Sequence, residues 1–385
     1  MAASKNSADS LLGTVLVTGG CGFIGSFIVE AFAASSSCSS VVAASRNPTK
    51  FCIAEATYKV CNFSDRNQVT ALLNEVKPRV IVHTVSPGPF ATPDEHYRIS
   101  YLATKQLLEL AKQHPSVRAL VWTSSMNAVK LDPAMNSSPL TESGTELNDF
   151  KSKASAYGRA KGATETIILA SNTDASTVDF SGDASWEGKL LTTSLRITGL
   201  YGPRDKTTIW EILKVVNTMA TRIQIGKNEL LHEWNYVESA ANAHVLAARA
   251  LLDGQHLRPD MRVDGEAFSI TDGSPMKFWD FSRKVWEMAG DEFCNRRDKE
   301  MKLIVIPFWF MKMVAGFGEW ACWLFTFGRK RPRMTVDHFE FMSSGCWFSI
   351  EKAQTRLGYE PVCDTEEGIR RTIKWFKDNE GWEKG

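Results

Sequence analysis

Tyr157 and Lys161 stand four residues apart in Ala156-Tyr157-Gly158-Arg159-Ala160-Lys161, at the opening of a predicted helix Tyr157 to Leu169. That spacing puts both side chains on one helix face. A lysine charge beside a phenol favours the phenolate. The tyrosine could then take a proton from an alcohol oxygen, or return one, near neutral pH. Upstream, an apolar strand Ala119 to Thr123 ends in Thr123-Ser124-Ser125. A serine hydroxyl at a strand end can orient the same oxygen. Tyrosine and lysine at this spacing are common by chance, so their weight comes from a second pattern near the N-terminus.

That pattern is Thr18-Gly19-Gly20-Cys21-Gly22-Phe23-Ile24-Gly25, preceded by the apolar run Val15-Leu16-Val17 and followed by a helix from Ser26 to Ala34. Gly19, Gly22 and Gly25 fit the three needs of a dinucleotide turn: a tight bend, close backbone approach to a pyrophosphate, and close packing of helix on strand. The helix N-terminus would face the phosphates. A second strand, Val41 to Ala44, ends in Ser45-Arg46-Asn47 with no acid to hold a free ribose. Arg46 suits a 2′-phosphate, which favours NADP over NAD.

The elements that must position these groups alternate along the chain. Tyr58 to Phe63 reads as a strand, with Asn62 and Phe63 where an adenine edge could be gripped. Val80 to His83 reads as another, and Thr84-Val85-Ser86 would pass the cofactor backbone; His83 is read as a packed strand-end residue. A helix over 97–113 and the strand 119–123 continue the series. Repeated βα units imply a doubly wound parallel sheet with helices on both faces.

Composition bounds the remaining readings. The chain has 385 residues, 45 Lys+Arg against 44 Asp+Glu, and a net charge of +1. This excludes a disordered chain and argues against nucleic acid as the main partner. The eight cysteines form no C-x-x-C pair and no zinc-spaced cluster, so no metal is expected and the thiols read as reduced and buried. Met1 to Ser10 carries no apolar targeting run, which points to a reducing, cytoplasmic-side location. Twelve Trp and 21 Phe against 7 Tyr are out of line. Many cluster in 303–327, followed by the basic run Arg329-Lys330-Arg331-Arg333. That segment reads as a core helix, as an interfacial helix pair meeting anionic headgroups, or as a membrane span broken by Pro307, Lys312 and Glu319.

Together, TGGCGFIG (18–25), TSS (123–125), YGRAK (157–161) and LRITGLYGPRD (195–205) resemble the extended short-chain dehydrogenases/reductases. More narrowly, IQIGKNELLHEWNYVESAANAHVLAA (223–248), AFSITDGSP (267–275) and FSIEKAQTRLGYEP (348–361) resemble the 3β-hydroxysteroid dehydrogenase/isomerase family, which includes decarboxylating sterol-4α-carboxylate 3-dehydrogenases. The resemblance covers roughly residues 13–377. It implies a Rossmann-type sheet with a smaller C-terminal substrate lobe. It also implies Ser125, Tyr157 and Lys161 as the catalytic trio, with Ser124 as the neighbour to test. Ile197 and Thr198 would lie near the nicotinamide end. Three departures stand out. Ser100 occupies a position where the family usually has Asn, which leaves the proton relay behind Lys161 in question. Ile197 replaces the usual Pro after Arg196. Residues 171–190 form a polar insertion, expected as a surface loop with a lid as one role.

The expected organisation is a disordered tail over 1–12, a dinucleotide domain over 13–200, and a substrate lobe over 201–385 that includes a sheet-supporting helix 236–253. The expected activity is NAD(P)-dependent oxidation of a 3β-hydroxyl, or reduction of the ketone, on a sterol- or terpenoid-like substrate. Loss of CO₂ from a β-keto acid could accompany it. A ketoreductase of secondary metabolism on another lipophilic ketone is an alternative. A non-catalytic dinucleotide-binding regulator is the alternative from another class. The resemblance also implies a homodimer and a peripheral place on the cytosolic face of the endoplasmic reticulum membrane.

Overall fold

The computed structural model describes residues 11–131, 137–180, 185–253, 258–295, 303–326 and 347–382, with a few positions between 336 and 345. Most of the N-terminal tail and the basic run 329–333 lie outside the described residues.

Val15, Leu16 and Val17 are wholly buried, as expected of a strand covered on both faces. They belong to β1 (Gly13–Thr18), followed in chain order by β2 (Cys38–Ser45), β3 (Thr57–Val60), β4 (Val80–His83), β5 (Ala119–Ser125), β6 (Leu191–Ile197) and β7 (Glu266–Ile270). These form one seven-stranded sheet in the order β7-β6-β5-β4-β1-β2-β3, every pairing parallel. The order reverses between β1 and β4. A crevice opens there, outside the carboxyl ends of the strands, where such sheets bind ligands.

The supporting helices are α1 (Phe23–Ala34), α2 (Arg66–Val76), α3 (Ala103–Gln113), α4 (Ala156–Ala170) and α5 (Val237–Leu252). α1 and α5 pack together on one face through Phe27, Phe32, Ala240 and Ala247. α2, α3 and α4 cover the other through Leu72, Leu107 and Ile168. The helix expected over 97–113 is interrupted. Thr92 and Glu95 form a reciprocal capping box, and His96–Leu102 then winds as a π-helical turn before α3 begins.

The domain boundary expected at residue 200 is corrected by the pairing of β7 with β6, which returns residues 266–270 to the sheet. Later helices among the described residues include α6 (Phe278–Met288), α7 (Phe308–Thr326), α8 (Glu351–Leu357) and α9 (Thr365–Glu380). α8 also returns, burying Ala353 and Leu357 against the body. The insertion 171–190 is likewise more than a surface loop. Ala175, Val178 and Trp186 are buried in the sheet-face core, because the start of β6 draws the segment under the sheet. None of its described residues borders the crevice.

The aromatic excess has two destinations. Trp234, Phe281, Trp286 and Phe376 form a core joining Ile209–Leu213, α6 and α9, with the Trp234 and Phe281 rings stacked at 3.6 Å. α7 does the reverse. Trp309, Phe317 and Phe325 are 68%, 67% and 81% exposed, while Ala315 faces inward. This rules out the core-helix reading for 303–327. No helix among the described residues is long and apolar enough to cross a membrane.

Candidate active site

Gly19 turns the chain after β1 with φ +74, a left-handed backbone that favours glycine. A side chain on Gly25 would place its Cβ 2.2 Å from the Gly19 carbonyl oxygen, so only glycine lets α1 approach the turn. Gly22 caps α1 without a side-chain hydrogen bond, leaving the first-turn amides free to meet an anion. Thr84 Oγ1 donates to the Thr18 carbonyl at 2.6 Å and ties the end of β4 to the same turn. This cradle fits a nicotinamide dinucleotide. Gly19, Gly22, Phe23, Ile24, Gly25, Ser45, Arg46, Asn62, Phe63, Thr84, Val85, Ser86, Ile197 and Thr198 all line one cavity of about 2430 Å³, and Ser125, Tyr157 and Lys161 line it too.

The chemistry-bearing side chains sit where β5 ends and α4 begins. Successive strand residues point to opposite faces, which separates the two serines. Ser124 Oγ donates to Glu165 Oε2 at 2.5 Å, inside the body. Ser125 instead hydrogen-bonds the Tyr157 phenol and accepts from the Asn127 amide at 3.2 Å. Ser155 caps α4 by accepting from the Gly158 amide at 3.1 Å, which fixes where Tyr157 leaves the loop. Two glycines let α4 press against the segment that follows β5. A Cβ on Gly162 would meet the Asn148 carbonyl oxygen at 2.1 Å, and one on Gly158 the Asn127 oxygen at 2.8 Å.

Lys161 departs from the simple expectation. Its Nζ donates to the Thr123 carbonyl at 2.7 Å and lies 4.7 Å from the Trp122 ring centre. Burial pushes its pKa down to about 7, against a smaller opposing pull from Glu165. Burial also raises the Tyr157 phenol, with the Ser125 hydrogen bond pulling the other way. In the protein alone, therefore, desolvation outweighs the lysine–phenol effect expected from spacing. His83 is a neutral strut, as read from its strand-end place. It bridges Thr18 and Thr104 at 2.6 and 2.8 Å, and burial together with the Lys161 charge lowers its pKa to about 3.

Several supporting residues escaped sequence reasoning. Glu165 accepts from Arg196 Nη2 at 2.7 Å in an ion pair almost wholly removed from solvent. Thr123 Oγ1 lies 2.8 Å from His244 Nε2, whose Nδ1 donates to the Ala240 carbonyl, so the threonine hydroxyl is the donor. The Gly158/Gly162 pair was visible as a spacing, whereas Glu165, Arg196 and His244 carry no local signal. Ser100 is buried in the π-helical turn, its Oγ 3.3 Å from Ser86 Oγ. Beyond the trio the lining mixes apolar side chains, Ile212, Val215, Ile223, Ile225, Trp279 and Trp286, with Lys206, Glu211 and Lys214.

The depressed Lys161 pKa has a measurable consequence. Between pH 7 and the unfolded value of 10.5 the unfolded chain holds a proton that the folded chain lacks, so stability rises with pH across that window. Lys161→Met removes this slope. In denaturant titrations its stability relative to wild type should fall by about 2–5 kcal/mol from pH 6.5 to 10.5. A difference independent of pH would show that Lys161 titrates normally.

Comparison with known proteins places this geometry. A family model described as the 3-beta hydroxysteroid dehydrogenase/isomerase family matches residues 16–300. The sterol-4-alpha-carboxylate 3-dehydrogenase, decarboxylating, of Gibberella zeae is 30% identical over 322 residues, covering 82% of this chain and 96% of that one. The Schizosaccharomyces pombe protein of the same description is 31% identical over 319 residues, covering 82% of each. The Bos taurus one is 25% identical over 362 residues, covering 94% and 91%. Among solved structures, a dTDP-glucose 4,6-dehydratase from Bacillus anthracis in complex with NAD aligns with a TM-score of 0.64 at 17% identity, over 96% of this chain and 98% of that one. A UDP-glucose 4-epimerase from Thermotoga maritima aligns at 0.63 and 18%, over 95% and 99%; both likenesses speak for the fold alone. With its glycine cradle, its Ser125–Tyr157–Lys161 corner and a family match over most of its length, this chain belongs to the 3-beta hydroxysteroid dehydrogenase/isomerase family.

Proposed function

We propose that the protein oxidises the 3β-hydroxyl of a sterol-like substrate carrying a carboxylate on the neighbouring ring carbon, and releases that carboxylate as CO₂. One observation carries the reading: Ser125, Tyr157 and Lys161 line the single cavity that holds both the glycine cradle and a lobe with Ile212, Ile223, Trp279 and Trp286 in its lining. The substrate type follows the names of the relatives.

When bound, the dinucleotide supplies the hydride acceptor. Tyr157 takes the hydroxyl proton. Ser125 hydrogen-bonds the same oxygen and holds it in line with the phenol. Tyr157 must enter this step as the phenolate, which a protonated Lys161 beneath it favours, and it leaves the step as the neutral phenol. Once the ketone forms, the bond to a β-carboxylate breaks heterolytically, its electron pair moves to the ketone oxygen as an enolate, and CO₂ leaves. Ser125 and Tyr157 are placed to hydrogen-bond that oxygen. Decarboxylation thus needs no further side chain.

NADP is the favoured cofactor. Arg46 is exposed at the end of β2, lines the cradle, and makes no ion pair among the described residues, so its guanidinium is available to a 2′-phosphate. α7 supports a peripheral membrane site. Trp309, Trp320, Trp323 and Phe325 form an exposed apolar face, and a basic run follows in the sequence.

Incubation with NAD⁺ or NADP⁺ and a 4α-carboxy-3β-hydroxysterol should yield a ketone lacking two hydrogens and CO₂ by mass. Tyr157→Phe should keep dinucleotide affinity and lose turnover by about 10²–10⁴-fold. Turnover that survives in this variant would defeat the proposed chemistry. Arg46→Ala should weaken NADPH binding by about tenfold or more and leave NADH nearly unchanged, the loss of a charge-assisted contact costing roughly 1.5–3 kcal/mol. Equal weakening of both would remove the NADP preference. Replacing Trp320, Trp323 and Phe325 by Ser should abolish co-sedimentation with anionic vesicles, and unchanged sedimentation would reject docking through α7.

A further inference from the structure

Two kinds of titratable side chain are left over from the reaction. Among the thiols, Cys38 and Cys61 are buried and Cys52 is exposed, which corrects the reading of every cysteine as buried. Among the histidines, His96 is almost wholly buried and packs its ring against Tyr157. The two ring centres are 5.6 Å apart and the planes meet at 63°, an edge-to-face contact. Such a pair fixes the orientation of one ring against the other.

The π-helical turn His96–Leu102 presents His96 to Tyr157, and winding of this kind is frequent at functional sites. The capping box of Thr92 and Glu95 fixes where the turn starts. Farther along, the Ser100 carbonyl accepts from Thr164 Oγ1 of α4 at 3.4 Å and from Thr104 Oγ1 at 2.5 Å. Tyr97 and Tyr101 stack at 5.7 Å and take the Phe150 ring edge-on at 5.3 and 5.0 Å. Phe150 lies in the loop that leads into α4. The turn is thus fastened to α4 and to the loop before it, on either side of Tyr157 in the chain. Lys161 Nζ stands 5.7 Å from the Tyr157 ring centre, so the ring has a cation and an imidazole for neighbours. A hydrogen bond to Ser125 holds the phenol oxygen but tolerates a swing of the ring. An edge packed against its face resists that swing.

We infer that His96 is a positioning residue for the reaction: its ring, presented by the π-helical turn, sets the angle at which the Tyr157 phenol meets the substrate hydroxyl. In this role it touches no reacting atom and moves no proton. The inference rests on the reading of Ser125, Tyr157 and Lys161 as the reacting corner. A reacting group displaced by about 1 Å can lose about 10²-fold in rate. The effect of His96 therefore falls on the chemical step, while dinucleotide and substrate still bind.

The test uses the full chain with NADP⁺ and the 4α-carboxy-3β-hydroxysterol. His96→Ala should lower kcat by about tenfold or more, with KM and the NADPH Kd within about threefold of wild type. His96→Phe, which keeps a ring, should hold kcat within about threefold of wild type. His96→Gln, similar in size but without a ring, carries the expectation of His96→Ala if that variant does not fold. In a Tyr157→Phe background the alanine should cost almost nothing more, because a residue that acts through the phenol has lost its target. Unchanged kcat in His96→Ala overturns the inference, as does an equal loss in His96→Phe or an undiminished loss in the Tyr157→Phe background. A second measurement needs no substrate: ultraviolet titration of the phenol, read as the difference from the matching Tyr157→Phe protein. Burial raises the Tyr157 pKa, so opening the space beside it in His96→Ala should bring it down toward its ordinary value, and His96→Phe should leave it in place. A phenol that titrates alike in all three proteins overturns the packing. Wild type without turnover, or Tyr157→Phe with full turnover, defeats the proposed chemistry instead, and the titration still reports on His96.

Discussion

Glu165 holds three elements with one carboxylate. From α4 it accepts the Ser124 hydroxyl of β5 and the Arg196 guanidinium of β6. Removing one partner of a buried pair like this costs roughly 3–5 kcal/mol, because the other charge is left without compensation. The pair therefore sets where α4 lies, and α4 sets the corner. Lys161 stands one turn before Glu165 and Tyr157 two turns before it. With the helix pinned at Glu165 and pressed close at Gly162 and Gly158, the phenol has one place to go, beside Ser125.

The same closeness dries the site, and dryness sets its protonation. His83 and His244 are kept neutral by burial; His83 bridges two threonine hydroxyls, and His244 a threonine hydroxyl and a backbone carbonyl. Lys161 is the interesting case, because the body surrounds it with a carbonyl and an indole but keeps Glu165 engaged elsewhere. Its charge is thereby poised rather than fixed. A lysine in water would hold its proton at any physiological pH.

Where a feature depends on neighbours in sequence, it could be read in advance. The Gly19–Gly25 turn, the Tyr157/Lys161 spacing and the alternation through β5 are of this kind, since each is a local pattern with one physical use. Residues that depend on a distant partner were not legible. Ser124 and Ser125 look alike until Glu165 claims one of them. The polar run 171–190 conceals Trp186, whose burial depends on the underside of a sheet assembled elsewhere. The sequence 267–275 carried a family likeness but no sign that 266–270 would pair with β6. Exposed α7 was ambiguous for a different reason: apolar periodicity does not say whether a helix meets protein or something else.

The return of β7 and α8 to the sheet bears on how the chain can be made and divided. Until residue 270 has been synthesised, β6 has one edge with no neighbour, and the groove that takes α8 is unfilled until residue 357. Cutting the gene near residue 200 would therefore not release a self-sufficient nucleotide module. It would leave a sheet with a sticky edge, prone to pair with whatever strand arrives first. The catalytic half of this protein is completed only by residues 266–270 and 351–357, far downstream of its catalytic corner.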